Sequence, residues 1–149
     1  MSASTLCSLA TVSSGRRAHI NHMYFAWNDS FEVFWASDPE SVHSRNLAKN
    51  SSAAVTIYDS HQTWGRPDRG IQLFGAGGLA GARAARAAEL AYSKRFRSYD
   101  PEQSDFYPFY RFRPRSMKLF DEGALGGGTL VTARVTPGGL AWLKTEVWA

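Results

Sequence analysis

Apolar and polar residues alternate over two short stretches that flank a polar connector. Phe31, Val33 and Trp35 alternate with Glu32, Phe34 and Ala36, and Val55 and Ile57 alternate with Thr56 and Tyr58. A period of two marks half-buried strands, here over residues 31–37 and 53–59. Between them Ser37-Asp38-Pro39-Glu40-Ser41 stops the first strand, and Ser41 caps a helix that runs to about residue 50. A helix start presents unpaired backbone N–H groups and the positive end of the peptide dipole. The hydroxyls, the imidazole of His43 and the guanidinium of Arg45 gathered there suit a phosphate monoester; the same residues also suit an ordinary capped connector with a solvated arginine.

The pattern continues on both sides. Leu6–Val12 reads as a strand, Ser13-Ser14-Gly15-Arg16 as a hairpin turn, and residues 17–27 as a second strand, turned again by Asn28-Asp29-Ser30. Residues 60–69 form a polar loop carrying His61, Gln62, Trp64 and Pro67. Residues 70–75 then resume strand character, with glycines at 70, 75, 77 and 78 that signal a bulge and a close backbone approach. The Ala-, Arg- and Leu-rich run over 81–97 is the strongest helix signal, expected to turn Ala87 and Leu90 inward and its arginines outward. Residues 107–121 return to strand, with Pro114 at an edge or a bulge. Gly126-Gly127-Gly128 lacks the lysine and following helix of a nucleotide-binding loop, so it reads as a turn into a strand over 129–135. A hairpin at Pro137-Gly138-Gly139 leads to a last strand over 140–148. The sum is a mainly β fold: an antiparallel meander curling toward a barrel, with a few short helices and one longer helix.

Composition narrows this picture. The 149 residues fit a single domain, 1–149, and a 44% hydrophobic and 13% aromatic content supplies an ordered core. Cys7 is the only cysteine, which excludes an internal disulfide and an all-cysteine metal site and makes the cytoplasm the expected compartment. No stretch has the length and apolarity to cross a bilayer, and no signal segment is visible, so a soluble, membrane-free protein is expected. The net charge of +4 favours anionic ligands. Arg83, Arg86, Lys94, Arg95 and Arg97 on the long helix read as a solvated face. In the aromatic-basic segment over 106–120, Phe109, Arg111, Arg113 and Arg115 share one alternating set, and Tyr110 and Phe112 the other. An amphipathic strand accounts for this without nucleic acid. His19, His22, His43 and His61 lack a metal-ligand spacing, and the odd interval puts His19 and His22 on opposite faces of a strand, so no metal site is expected. No Gly-x-Ser-x-Gly is present to support a serine nucleophile.

The run 41–50, with Ser41, His43 two residues on and a short helix ending in Asn50, resembles the phosphate segment of the pyridoxamine 5′-phosphate oxidase-like, flavin-binding split barrels. The segment 69–75, Arg-Gly-Ile-Gln-Leu-Phe-Gly, resembles that family's strand closing in glycine, and together with Tyr92 to Phe96 it is similar to a small bacterial subfamily. The resemblance spans about residues 6–120 and implies a homodimer with FMN in clefts at the subunit interface; relatives of the fold use F420 or haem instead. It also implies that Ser37, Ser41, His43, Ser44 and Arg45 hold the phosphate, and that Met23, Tyr24, Phe25 and Trp35 line the ring. His22 or His61 would be the ligands available to a haem iron, and loop placement makes Trp64 and Gln72 substrate-side contacts. His43 stands where many flavin-binding members carry lysine, and Gly70 where the oxidase has a glutamine toward the ring. The oxidase's carboxy-terminal substrate arginines have no counterpart here. The implied function is thus an FMN-binding oxidoreductase acting on a small organic substrate other than a vitamin B6 phosphate. The alternative is a non-catalytic module that stores or senses flavin, F420 or haem.

Overall fold

The computed structural model describes residues 1–102 and 107–148, so Phe106, in the aromatic-basic segment, lies outside the described residues. The elements are, in chain order, β1 (Leu6–Val12), β2 (Ala18–Tyr24), β3 (Ala26–Trp27), β4 (Val33–Ala36), α1 (Val42–Lys49), β5 (Ser52–Tyr58), β6 (Arg69–Leu79), α2 (Ala82–Arg95), β7 (Phe109–Asp121), α3 (Glu122–Leu125), β8 (Thr129–Thr136) and β9 (Gly139–Val147). The strands form one antiparallel sheet in the order β2-β1-β5-β6-β7-β4-β3, with β8 also on β7 and β9 on β8. The two ends of that order, β2 and β3, are separated in the chain only by Phe25. The sheet therefore curls round and meets itself at Phe25, whose side chain is wholly buried in the seam.

This seam corrects the single strand expected over 17–27, which breaks into β2 and β3. The strand expected from residue 31 also starts later. Phe31 has a φ of 61° and belongs to a turn in which the Asn28 side-chain carbonyl accepts from the N–H groups of Ser30 (3.0 Å) and Glu32 (3.1 Å). Nor is β4 half-buried: Val33, Phe34 and Trp35 are all buried, because both of its faces are covered. Trp35 and Val33 point into the barrel with Leu9, Phe25, Leu73 and Phe112, while Phe34 packs outward against Ala88, Ala91 and Tyr92 of α2.

The long helix is where predicted but rolled on its axis. Ala84, Ala88, Ala91 and Tyr92 form the buried face, whereas Leu90 is 66% exposed. Its cations face solvent except Arg95, which folds back onto the rings of Phe25 and Trp27. Small alanines let α2 approach β3 and β4 closely, and a leucine there would hold it off.

Pro114 marks a fork in the sheet. Residues 109–112 of β7 pair with β4 and residues 116–120 with β8, so the residue with no N–H sits between two partners. Opposite it the ladder with β6 shifts register between Phe74 and Gly75. A Cβ on Gly75 would lie 2.0 Å from the Arg113 carbonyl oxygen, so the bulge requires glycine at that position.

Candidate functional site

The helix predicted from the Ser41 cap is α1, and the cap is made. Ser41 is extended (φ −62°, ψ 152°) and its Oγ accepts from the Ser44 N–H at 3.3 Å, while Arg45 N–H donates to the Ser41 carbonyl at 3.0 Å. These bonds leave Val42 and His43 as the unspent N–H donors of the first turn. Around them the hydroxyls and the imidazole form a closed network. His43 Nε2 lies 2.7 Å from Ser37 Oγ and 3.2 Å from Ser41 Oγ, and Ser41 Oγ donates to Ser44 Oγ at 2.8 Å. His43 is only 6% and Ser44 only 2% exposed. Arg45 is at the surface, its guanidinium 3.6 Å from the Glu40 carboxylate.

The helix is anchored by Asn46, whose buried side chain donates to Thr11 Oγ1 at 3.1 Å. Thr11 pairs across the hairpin with His19, which brings a second imidazole beside His43. Burial first, and His19 second, hold His43 below the usual histidine range, so its ring is neutral at neutral pH. His19 Nδ1 is itself buried without a hydrogen-bond partner. The sequence places His19 on the opposite face from His22, but its neighbour follows only from the Thr11 register and the Asn46 tether. The donors fit a phosphate: hydroxyls, ring nitrogens and free N–H groups converge, and the nearby Glu40 carboxylate is paired with Arg45.

The ring-side candidates divide. Tyr24 is 62% exposed at the end of β2, edge-on to Phe96 with centroids 6.0 Å apart, and its carbonyl accepts the Tyr92 hydroxyl at 3.0 Å. Met23, Phe25 and Trp35 are buried, Trp35 stacking on Tyr110 at 5.7 Å. These three residues belong to the core, so of the ring-side candidates Tyr24 alone presents a ring at the surface. Gln72 lies on the outer face of the sheet beside Thr56 and Lys118, whereas Trp64 stands fully exposed in a separate surface loop that lines an open cavity with Arg66 and Glu122. The structure does not bring these two together with the serine-histidine network.

His22 and His61 both line a cavity of about 320 Å³ with Cys7 and Tyr58. His22 Nδ1 is 2.8 Å from Ser8 Oγ, and His61 Nδ1 is 3.2 Å from Asp59, whose pKa its hydrogen bonds lower. Burial pushes the Cys7 thiol up to about 12, so it is inert at neutral pH. Among the described residues, no three His, Cys, Asp or Glu side chains converge as metal ligands, and no helix is long and apolar enough to cross a membrane.

An antiparallel sheet closed on itself, with a capped helix presenting phosphate-type donors at its side, is the architecture of a split β-barrel. The family model of pyridoxamine 5′-phosphate oxidase matches residues 1–118, and the chain belongs to that family. In structure it is similar to a conserved hypothetical protein from Mycobacterium tuberculosis (TM-score 0.69, 19% identity, 84% of this chain and 82% of the other). It is similar also to a pyridoxamine 5′-phosphate oxidase-related, FMN-binding protein from Nostoc punctiforme (0.65, 11%, 97% and 87%). A third is HutZ, the haem storage protein from Vibrio cholerae (0.62, 16%, 74% and 81%). At these identities the likeness is one of fold. No curated protein matches the chain in sequence.

Proposed function

We propose that the protein is a cytoplasmic homodimeric oxidoreductase that binds FMN and acts on a small organic substrate. The observation that carries this reading is the buried Ser37-Ser41-His43-Ser44 network at the start of α1 in a chain of this family. In the proposed complex the FMN phosphate is held by these hydroxyls, His43 and the Val42 and His43 N–H groups, with Arg45 released from Glu40 to close over it. The exposed ring of Tyr24 and the backbone of edge strand β2 offer stacking and hydrogen bonds to a flat cofactor. The flavin supplies the redox chemistry when bound; the chain's residues bind it, orient it and keep water out.

Purified protein reconstituted with FMN is expected to show bands near 370 and 450 nm. Replacing Arg45 with Ala is expected to weaken FMN binding by about 1.5 kcal/mol, the low end for a charge-assisted hydrogen bond because the side chain is exposed. Failure of FMN, F420 and haem alike to bind at micromolar levels would remove the cofactor reading. The second reading, a haem-holding module without catalysis, is favoured by the His22–His61 cavity. His22 Nδ1 is engaged by Ser8, leaving Nε2 for a metal, and a band near 400–420 nm on adding haem, lost in His22→Ala, would select this reading.

A further inference from the structure

The cations of α2 divide by one residue. Lys94 stays at the surface, but the Arg95 guanidinium carbon lies 4.5 Å from the ring centroids of both Phe25 and Trp27 and 5.4 Å from that of Phe96. It donates one hydrogen bond, to the Ser4 carbonyl, and its Nε has no acceptor. Among the described residues no carboxylate pairs with it. Cations in a last helical turn complement the helix dipole, but that role needs neither burial nor an aromatic bed. Desolvation without a counter-ion is costly, and it draws the Arg95 pKa down.

Arg95 also borders an open-sided cavity of about 780 Å³, a size that accommodates a small organic ligand. Trp27, Leu90 and Phe96 give this cavity an apolar wall, and Lys94 and Asp29 lie at its rim. Leu90 and Lys94 are one helical turn apart, so the exposed leucine and the second cation stand on the same face. Lys94 and Arg95 outweigh Asp29 in this lining, and the Met1 ammonium close to Arg95 adds to the positive balance. That balance matches an anion with an apolar body, and the Asp29 carboxylate in the same lining opposes additional negative charge. A planar guanidinium matches a carboxylate bidentately.

We propose that this cavity is a second ligand site, which binds a small monocarboxylate with a flat apolar body. The carboxylate sits on Arg95 with Lys94 beside it, and the body packs on Trp27, Leu90 and Phe96. The site shares no residue with the Ser37–Arg45 network.

The test is calorimetric titration of the full chain, without added cofactor, using benzoate, the neutral benzyl alcohol and phenyl phosphate as probes. Benzoate is expected to bind at millimolar concentration or better, at least tenfold more tightly than either of the other two. Arg95→Gln is expected to weaken benzoate at least tenfold. Because Arg95 also packs on the core, Leu90→Asp provides a second variant: it changes an exposed residue, leaves folding intact and sets a carboxylate in the ligand's path, so benzoate binding should be lost. In a ¹H–¹⁵N spectrum, the Trp27 indole N–H, assigned through Trp27→Phe, should shift on adding benzoate. No benzoate binding up to about 10 mM, equal affinity for benzyl alcohol, or unchanged benzoate affinity in Leu90→Asp would each overturn the proposal.

Discussion

A neutral imidazole brings one N–H donor and no charge to a phosphate, whereas a protonated one brings two donors and a positive charge. His43 is neutral in the free protein because burial, and then His19, lower its pKa below 6.5. A bound phosphate reverses that balance, so the proposed binding takes up a proton at His43. The dissociation constant for FMN is therefore expected to rise as pH increases through the histidine range, and His43→Lys should tighten binding and flatten the dependence; titrations on both sides of neutrality check both. Stability of the free protein runs with the opposite sign. A group whose folded pKa is depressed stabilises above its unfolded value, and that contribution is lost as pH falls through the folded value. The melting temperature should thus fall as pH drops below 6.5, and His43→Gln should lessen that fall. The alternation around Val33 and the Ser41 cap announced the helix start, but nothing in the spacing could reveal that His19 stands beside it. That neighbour depends on which residue of β1 faces it across the hairpin.

At the scale of elements, β-alternation located the strands, and Pro114 announced its bulge, because a residue without an N–H cannot donate to the ladder. The roll of α2 was not legible. Leu90 is the more hydrophobic residue, and periodicity counts hydrophobicity, whereas the face buried over Ala26 and Phe34 is made by Ala88, Ala91 and Tyr92. Ala88, with no exposure, lies within that buried face. Ala88→Asp is expected to destabilise the protein by about 3 kcal/mol through an unpaired buried charge. Leu90→Gln should stay within about 0.5 kcal/mol of the parent. Denaturant midpoints of the two variants measure which face the helix buries.

For the molecule as a whole, the outer face of the sheet carries Leu6, Ile20, Tyr58 and Phe74, exposed by 47%, 63%, 47% and 39%. An apolar face of this kind is the surface a second copy would cover in the proposed dimer. Sedimentation is expected to give twice the chain mass of 16.5 kDa, and Ile20→Glu, which places a charge on the most exposed of these four residues, beside Ala10, should return it to the single-chain value. A barrel was legible in the count and spacing of strands. How it closes was not, since the meeting of β2 and β3 hangs on one apolar residue within what reads as a continuous run. The closure at Phe25 also sets a clock. Once β2 has paired with β1 and β3 with β4, the free edge of β4 must wait for β7, because Val33 pairs with Phe112, roughly 80 residues further on. Pairings between such distant segments are the slow ones, so this chain is expected to refold in about milliseconds to seconds rather than microseconds, which stopped-flow refolding measures. During that interval the surface of β4 that later lies against Phe112 is open to any other strand that reaches it first.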